Sequence, residues 1–164
     1  MKIFSAVLLA TLLLPAAISA QTLEKMKETG QLVVGFREDA APMSFLENNQ
    51  PKGFAPELCF ALAPSLAVAA GIEDLNVVFE VVTADNRFDK IAAGEVDLLC
   101  GAASITLSRR EIVDFSIPVF VDGTTVALKK DGPVDFAGLA GKKVGVRDAT
   151  TTLEALENSL ASMG

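Results

Sequence analysis

Five arginines occupy positions from which guanidinium chemistry could converge. Arg37 follows the apolar run QLVVGF, Arg87 follows NVVFEVV, Arg109 and Arg110 follow EVDLLCG, and Arg147 closes KKVGVR. Each run reads as a β-strand, and an open parallel sheet delivers the carboxyl ends of its strands to one edge, where ligands bind. A guanidinium presents a planar fork that matches a carboxylate in two parallel hydrogen bonds, whereas lysine offers a point charge. The lysines do not follow the strand ends. The chemistry indicated is therefore non-covalent capture of a small carboxylate by Arg37, Arg87 and Arg109 together, with the Ser104 hydroxyl as an added donor. Thr106 reads as stabilising its own turn. Arg110 and Arg147 read as solvated side chains paired with nearby acids. For any one arginine the alternative is an exposed ion pair with Glu38, Asp85, Asp89 or Glu111.

The elements that must position these groups alternate. TLEKMKETG predicts a short helix stopped by Gly30, and QLVVGF a strand after it. PELCFALAPSLAVAAG predicts a helix, apolar nearly all round, that breaks near residues 60–63 because Pro64 lies inside it. NVVFEVV is a second strand, DNRFDKIAAG a helix closed by Gly94, and EVDLLCG a third strand. Apolar strands alternating with helices imply a parallel sheet covered on both faces, an open α/β domain. Residues 118–130 read as a long extended segment, GPVDFAGLAG as a turn region, KKVGVR as a short strand and TTTLEALENSL as a helix beginning near Thr151. The change of character near residues 122–132 suggests a connection from one lobe into another.

Composition narrows the function classes. Residues 1–20 carry Lys2, a mostly apolar run and a small Ser19-Ala20 pair, the pattern of an export signal cleaved after Ala20. The alternative, a membrane anchor, is disfavoured by Pro15 and by a run shorter than the about 20 apolar residues a span needs. Removing Lys2 takes the formal charge from −7 to −8, which argues against nucleic acid and anionic membranes as partners. The chain has no histidine, so histidine-activated nucleophiles and most zinc sites are excluded. No cofactor or metal is implied. Cys59 and Cys100 are the only cysteines, and in an exported chain they are expected to form a disulfide. The alternative is two buried thiols acting as small apolar groups.

The motifs TLEKMKETGQLVVGFRED, GFAPELC, TADNRFDKIAAGEVDLLCG, SITLSRREIVDFSIPVFVDG and GKKVGVRDATTTLEAL, in this order, resemble the bacterial extracellular solute-binding proteins of family 3, within them the glutamate/aspartate binders. The resemblance implies an α/β, periplasmic-binding-protein-like fold of two lobes with parallel sheets. It divides the chain into a signal over residues 1–20, a first lobe over 21–122, and a hinge crossing with the start of an incomplete second lobe over 123–164. It further implies a periplasmic monomer, not an enzyme, that captures an acidic or other polar amino acid and hands it to the permease subunits of an ABC importer. Arg109 with Ser104 would hold the α-carboxylate, and Arg37 and Arg87 the side-chain carboxylate. Thr150 and Thr151 would contribute hydroxyl and backbone contacts from the opposite side, at a helix amino terminus suited to an anion. Simple helix capping is the alternative for either threonine.

The chain departs from the family at several places. Ala84 and Ala102 stand where acidic binders often carry serine, Met43 where an aromatic is usual, and Ala149 where a glycine is common. The family's second lobe continues past the helix that ends this chain and supplies an acid for the ligand's ammonium, so the chain reads as cut short within that lobe. A genuine short product that binds poorly is the alternative. Without the acid, a lost charged hydrogen bond of about 1.5–3 kcal/mol would weaken binding by roughly ten- to a hundredfold. A lyase of the cyclohexadienyl or arogenate dehydratase type is the enzyme alternative, with Glu38 or Asp39 as the general acid it would need. The sensory domain of a receptor is a third.

Overall fold

In the computed structural model residues 21–162 are described, and the expected export signal lies outside them. Helix α1 (Gln21–Thr29) ends where Gly30 turns into the left-handed region at φ +66°, its N–H donating to the Met26 carbonyl at 2.8 Å. The chain passes directly into strand β1 (Gln31–Phe36), as the sequence indicates. The two-residue period of β1 sends Leu32 and Val34 to one face, where Met26 of α1 lies over them, all at most 1% exposed. Burying side chains of this size contributes about 1.5–3 kcal/mol each.

Strand β1 is the centre of a parallel sheet. It pairs along its whole length with β5 (Asn76–Val81), from Gln31↔Asn76 to Phe36↔Val81. Its other edge pairs with β6 (Leu98–Leu99), giving the order β5-β1-β6. The third strand is shorter than EVDLLCG suggests, and Asp97 beside it also ties the sheet through its side chain. One of its carboxylate oxygens accepts the Val33 N–H and the other the Lys25 ammonium of α1, each at 2.8 Å. The face beneath α1 and α2 (Phe54–Ala70) forms the core, with Met26, Leu32, Val34, Ala55, Cys59, Ala70 and Cys100 buried together. The opposite face is covered only in part: Lys90 of α3 (Arg87–Ala92) meets Glu80 of β5, while Val78 stays 36% exposed.

Two expectations need correction. Helix α2 is continuous through Pro64. Its buried side is a narrow stripe of small residues (Ala55, Cys59, Ala63, Ala67, Ala70), and Pro64 lies on the exposed side. Phe60, whose carbonyl loses its helical donor, is 62% exposed, so water can replace the missing N–H. The second correction concerns residues 118–130 and KKVGVR, which form no strand among the described residues because no neighbour supplies a ladder. Arg147 therefore does not follow a strand end.

An antiparallel hairpin missing from the sequence reading fills the connection from β1 to α2: β2 (Asp39–Ala40), β3 (Ser44–Glu47) and β4 (Gln50–Lys52). Asn48 and Asn49 make its two-residue turn with φ of 51° and 61°, the left-handed pair that suits a right-twisted hairpin. Gly53 then admits α2 at φ +110°; a Cβ there would lie 2.7 Å from the Pro42 carbonyl oxygen. The remaining elements are α4 (Leu107–Arg110), a single 3₁₀ turn (Ala137–Leu139) and α5 (Thr151–Ser162), which starts where the sequence places it.

Candidate functional site

The expected disulfide is present. Cys59 of α2 and Cys100, one residue past β6, are bonded with Cα atoms 6.3 Å apart. The bond ties the rim loop that begins at Gly101 to the core helix, so the loop carrying Ser104 and Arg109 leaves from a fixed point. That loop is braced again at α4. Thr106 caps the helix by accepting the Arg109 N–H at 3.2 Å, the turn-stabilising role read from the sequence. The Arg109 Nη1 donates to the Ser104 carbonyl at 2.8 Å.

Arg87 opens α3 and is 2% exposed. Its Nη2 donates to the Ala149 carbonyl at 3.1 Å, while Nε and Nη1 are buried without a hydrogen-bond partner among the described residues. The Phe88 ring lies under this group and under Arg109 as well, with guanidinium carbons 4.5 Å and 4.9 Å from its centroid. Burial, reinforced by the positive charges of Arg109 and Arg37 and opposed by Asp85, pushes the Arg87 pKa down to about 10. Burial also lowers that of Arg109, against the charge of Glu154. Two like charges against one aromatic ring, one of them short of partners, make a locus that favours an anion.

Arg37 is also buried, at 5% exposure, but it is not free. Its Nε and Nη2 lie 2.9 Å and 2.8 Å from Asp39 Oδ1, and Arg147 Nη1 lies 2.5 Å from Asp39 Oδ2. Burial raises the Asp39 carboxyl, but the hydrogen bond and charge of Arg37 and the charge of Arg147 outweigh it, leaving the pKa below its ordinary value of 3.8. Such a carboxyl is a poor general acid. Ser44, fully buried, anchors the backbone of Arg37: its Oγ accepts the Arg37 N–H at 3.0 Å and donates to the Arg37 carbonyl at 2.7 Å.

Residues 147–151 sit against this rim. Ser104 and Thr151 hydroxyls lie 3.1 Å apart, within hydrogen-bond distance, and the Thr150 hydroxyl donates to the Arg147 carbonyl at 2.7 Å while facing the Leu153 N–H at 3.4 Å. Thr150 thus closes the first turn of α5. Ala149 adopts φ 54°, a conformation that glycine holds without strain. A cleft of about 320 Å³ opens between this turn and α3–α4. Arg109 and Thr150 line it; Arg37, Arg87, Ser104 and Thr151 do not. Asp85, Asp148 and Glu154 line it too, and the charge of Glu154 acts on Arg109.

Asp39, Ser44, Phe88 and Glu154 were not singled out as members of a binding site by sequence reasoning. Phe88 had a local signal, an aromatic directly after Arg87. Ser44 had none, because its bond to Arg37 depends on the unanticipated hairpin.

Comparison with known proteins places these features in a family context. The model of the bacterial extracellular solute-binding proteins, family 3, matches residues 32–164. An L-glutamate/L-aspartate-binding protein of Pseudomonas aeruginosa is 34% identical over 160 residues, covering 91% of this chain and 53% of the relative. A glutamate/aspartate import solute-binding protein of Escherichia coli is 33% identical over 147 residues, covering 88% and 48%. The chain spans about half the length of these curated relatives. Among solved structures, an ancestral amino acid-binding protein, a precursor of cyclohexadienyl dehydratase, is 34% identical with TM-score 0.52, covering 59% of this chain and 40% of its own. The α/β, periplasmic-binding-protein-like fold read from the sequence is shared with that structure.

Proposed function

The chain belongs to the bacterial extracellular solute-binding proteins, family 3, and from that premise we propose that it takes part in reversible capture of an acidic amino acid, such as glutamate or aspartate, for an ABC importer. Capture takes place in the periplasm after export, with permease subunits as the partners that receive the amino acid. In this reading residues 21–122 form the first lobe and 123–164 the crossing and the start of the second. Arg109 and Ser104 hold the α-carboxylate, Arg87 with Arg37 beside it faces the side-chain carboxylate, and Thr150 and Thr151 close from the facing side.

The observation that carries the reading is the buried Arg87 guanidinium, whose Nε and Nη1 have no partner while Arg109 and Arg37 add like charge around it. Ligand oxygens reaching Nε or Nη1 would give these buried donors a charged acceptor that the described residues do not supply. The names of the relatives point to the same ligands. No step of covalent chemistry is needed, and Asp39, held by two guanidinium groups, is unsuited to the proton donation that a dehydratase requires. Calorimetry with L-glutamate on the full-length protein and on Arg109→Ala tests the reading. A loss of about 2 kcal/mol or more, over tenfold in Kd, is expected; an unchanged affinity would contradict it.

A further inference from the structure

Asp39 presents this chain's own carboxylate to the Arg37 fork in the manner a ligand would. One oxygen takes Nε at 2.9 Å and Nη2 at 2.8 Å, and the other is shared with Arg147 at 2.5 Å. Both ends of the pair are held by the fold. Asp39 lies in β2, registered opposite Phe45, and Ser44 on β3 clamps the Arg37 backbone. The neighbouring guanidinium is the opposite case: among the described residues Arg87 makes no ion pair and has two buried N–H groups without partners. Two buried arginines of one rim are therefore in different electrostatic states, one neutralised from within and one open.

We propose that Asp39 is a specificity-determining residue, an internal carboxylate that occupies Arg37 in the ligand-free protein and sets how strongly the rim prefers a dicarboxylate amino acid over its amide analogue. The proposal rests on the acidic-ligand reading above. A side-chain carboxylate arriving at Arg87 meets an Arg37 whose charge Asp39 already cancels, so it gains little from that guanidinium. A neutral amide is nearly indifferent to both. The Asp39 side chain is 40% exposed but that of Arg37 only 6%, so a ligand carboxylate can take the Arg37 fork only by replacing Asp39 there, never by leaving the buried guanidinium unpaired. Arg147 acts in the contrary direction, because by sharing Asp39 it weakens the grip of that carboxylate on Arg37.

The test compares Kd for L-glutamate and L-glutamine, by calorimetry, in the full-length protein, in Asp39→Asn and in Arg147→Ala. Asp39→Asn is expected to shift the glutamate-to-glutamine preference by roughly tenfold toward glutamate, and Arg147→Ala to shift it the other way. A general structural role would move both ligands together and leave the ratio unchanged, which overturns the proposal while the acidic-ligand reading stands. Should Asp39→Asn fail to fold, Arg147→Ala decides, since it leaves the Arg37–Asp39 pair intact; an unmoved ratio there overturns the proposal too. Failure of the unsubstituted protein to bind either amino acid overturns the functional reading and this proposal with it.

Discussion

Replacing Arg87 by methionine separates a ligand socket from a structural ion pair, because the two make opposite claims about the ligand-free protein. A guanidinium whose pKa is pushed down to about 10 keeps its charge in the folded state at a cost of about 1–3 kcal/mol once solvent screening is allowed for. The direction follows from the causes: burial first, then the charges of Arg109 and Arg37, all disfavour the cation. Arg87→Met removes that cost. It also removes the bond to the Ala149 carbonyl, worth about 1.5–3 kcal/mol for a charged donor, part of which water restores because Ala149 is exposed. The cation–π contact with Phe88 is exchanged for a sulfur–aromatic contact of comparable size, about 0.5–1 kcal/mol. The balance is a ligand-free stability unchanged or raised by about 1 kcal/mol, a rise of about 2–4 °C in Tm for a chain of this size. A buried arginine already paired would instead cost about 3–5 kcal/mol when deleted. Thermal and urea melts of both proteins, with and without L-glutamate, provide the assay. At a hundred times Kd, ligand should stabilise the unsubstituted protein by about 2.7 kcal/mol and leave Arg87→Met unmoved. A fall of about 3 kcal/mol or more without ligand would refute the open-socket argument.

Two further outcomes follow from the positions of single groups. The Cys59–Cys100 bond spans a sequence separation of 41, so the double variant Cys59→Ala/Cys100→Ala should lose about 4 kcal/mol by the chain-entropy account, read as a lowered urea midpoint with little change in slope. Ala149 sits at φ 54°, where an L-residue is strained by about 1–2 kcal/mol; Ala149→Gly relieves this at an unfolded-state cost of about 0.4–1 kcal/mol. A melt should show a net gain near 0.5 kcal/mol, and a clear loss would mean that the Ala149 methyl makes a contact worth more than the strain.

Much of the fold was legible because its signals are local. Gly30 stops α1, QLVVGF and NVVFEVV are continuous apolar runs of strand length, and Thr150 precedes α5 with its hydroxyl in reach of the first turn. Errors arose where a local rule was overruled by surroundings. Pro64 does not break α2, since the side that loses a hydrogen bond faces water. KKVGVR has strand propensity but no ladder partner among the described residues. The hairpin of β2 to β4 is too short and too polar for a periodicity argument, although Asn48 and Asn49 announce its turn.

The amino-acid order by itself determined the family, the strand and helix alternation around β1, the cysteine pair, and the concentration of guanidinium groups at strand ends, since each follows from residue type and spacing along one stretch of chain. Only the tertiary structure decided the state of each guanidinium. Arg37 and Arg87 look alike in sequence, each following an apolar run, yet one is neutralised by Asp39 and the other buried with two N–H groups unmatched. That difference depends on which groups from distant segments share a volume of a few ångströms with little water, where Coulomb and desolvation energies are large. Spacing along the chain carries no record of that distance.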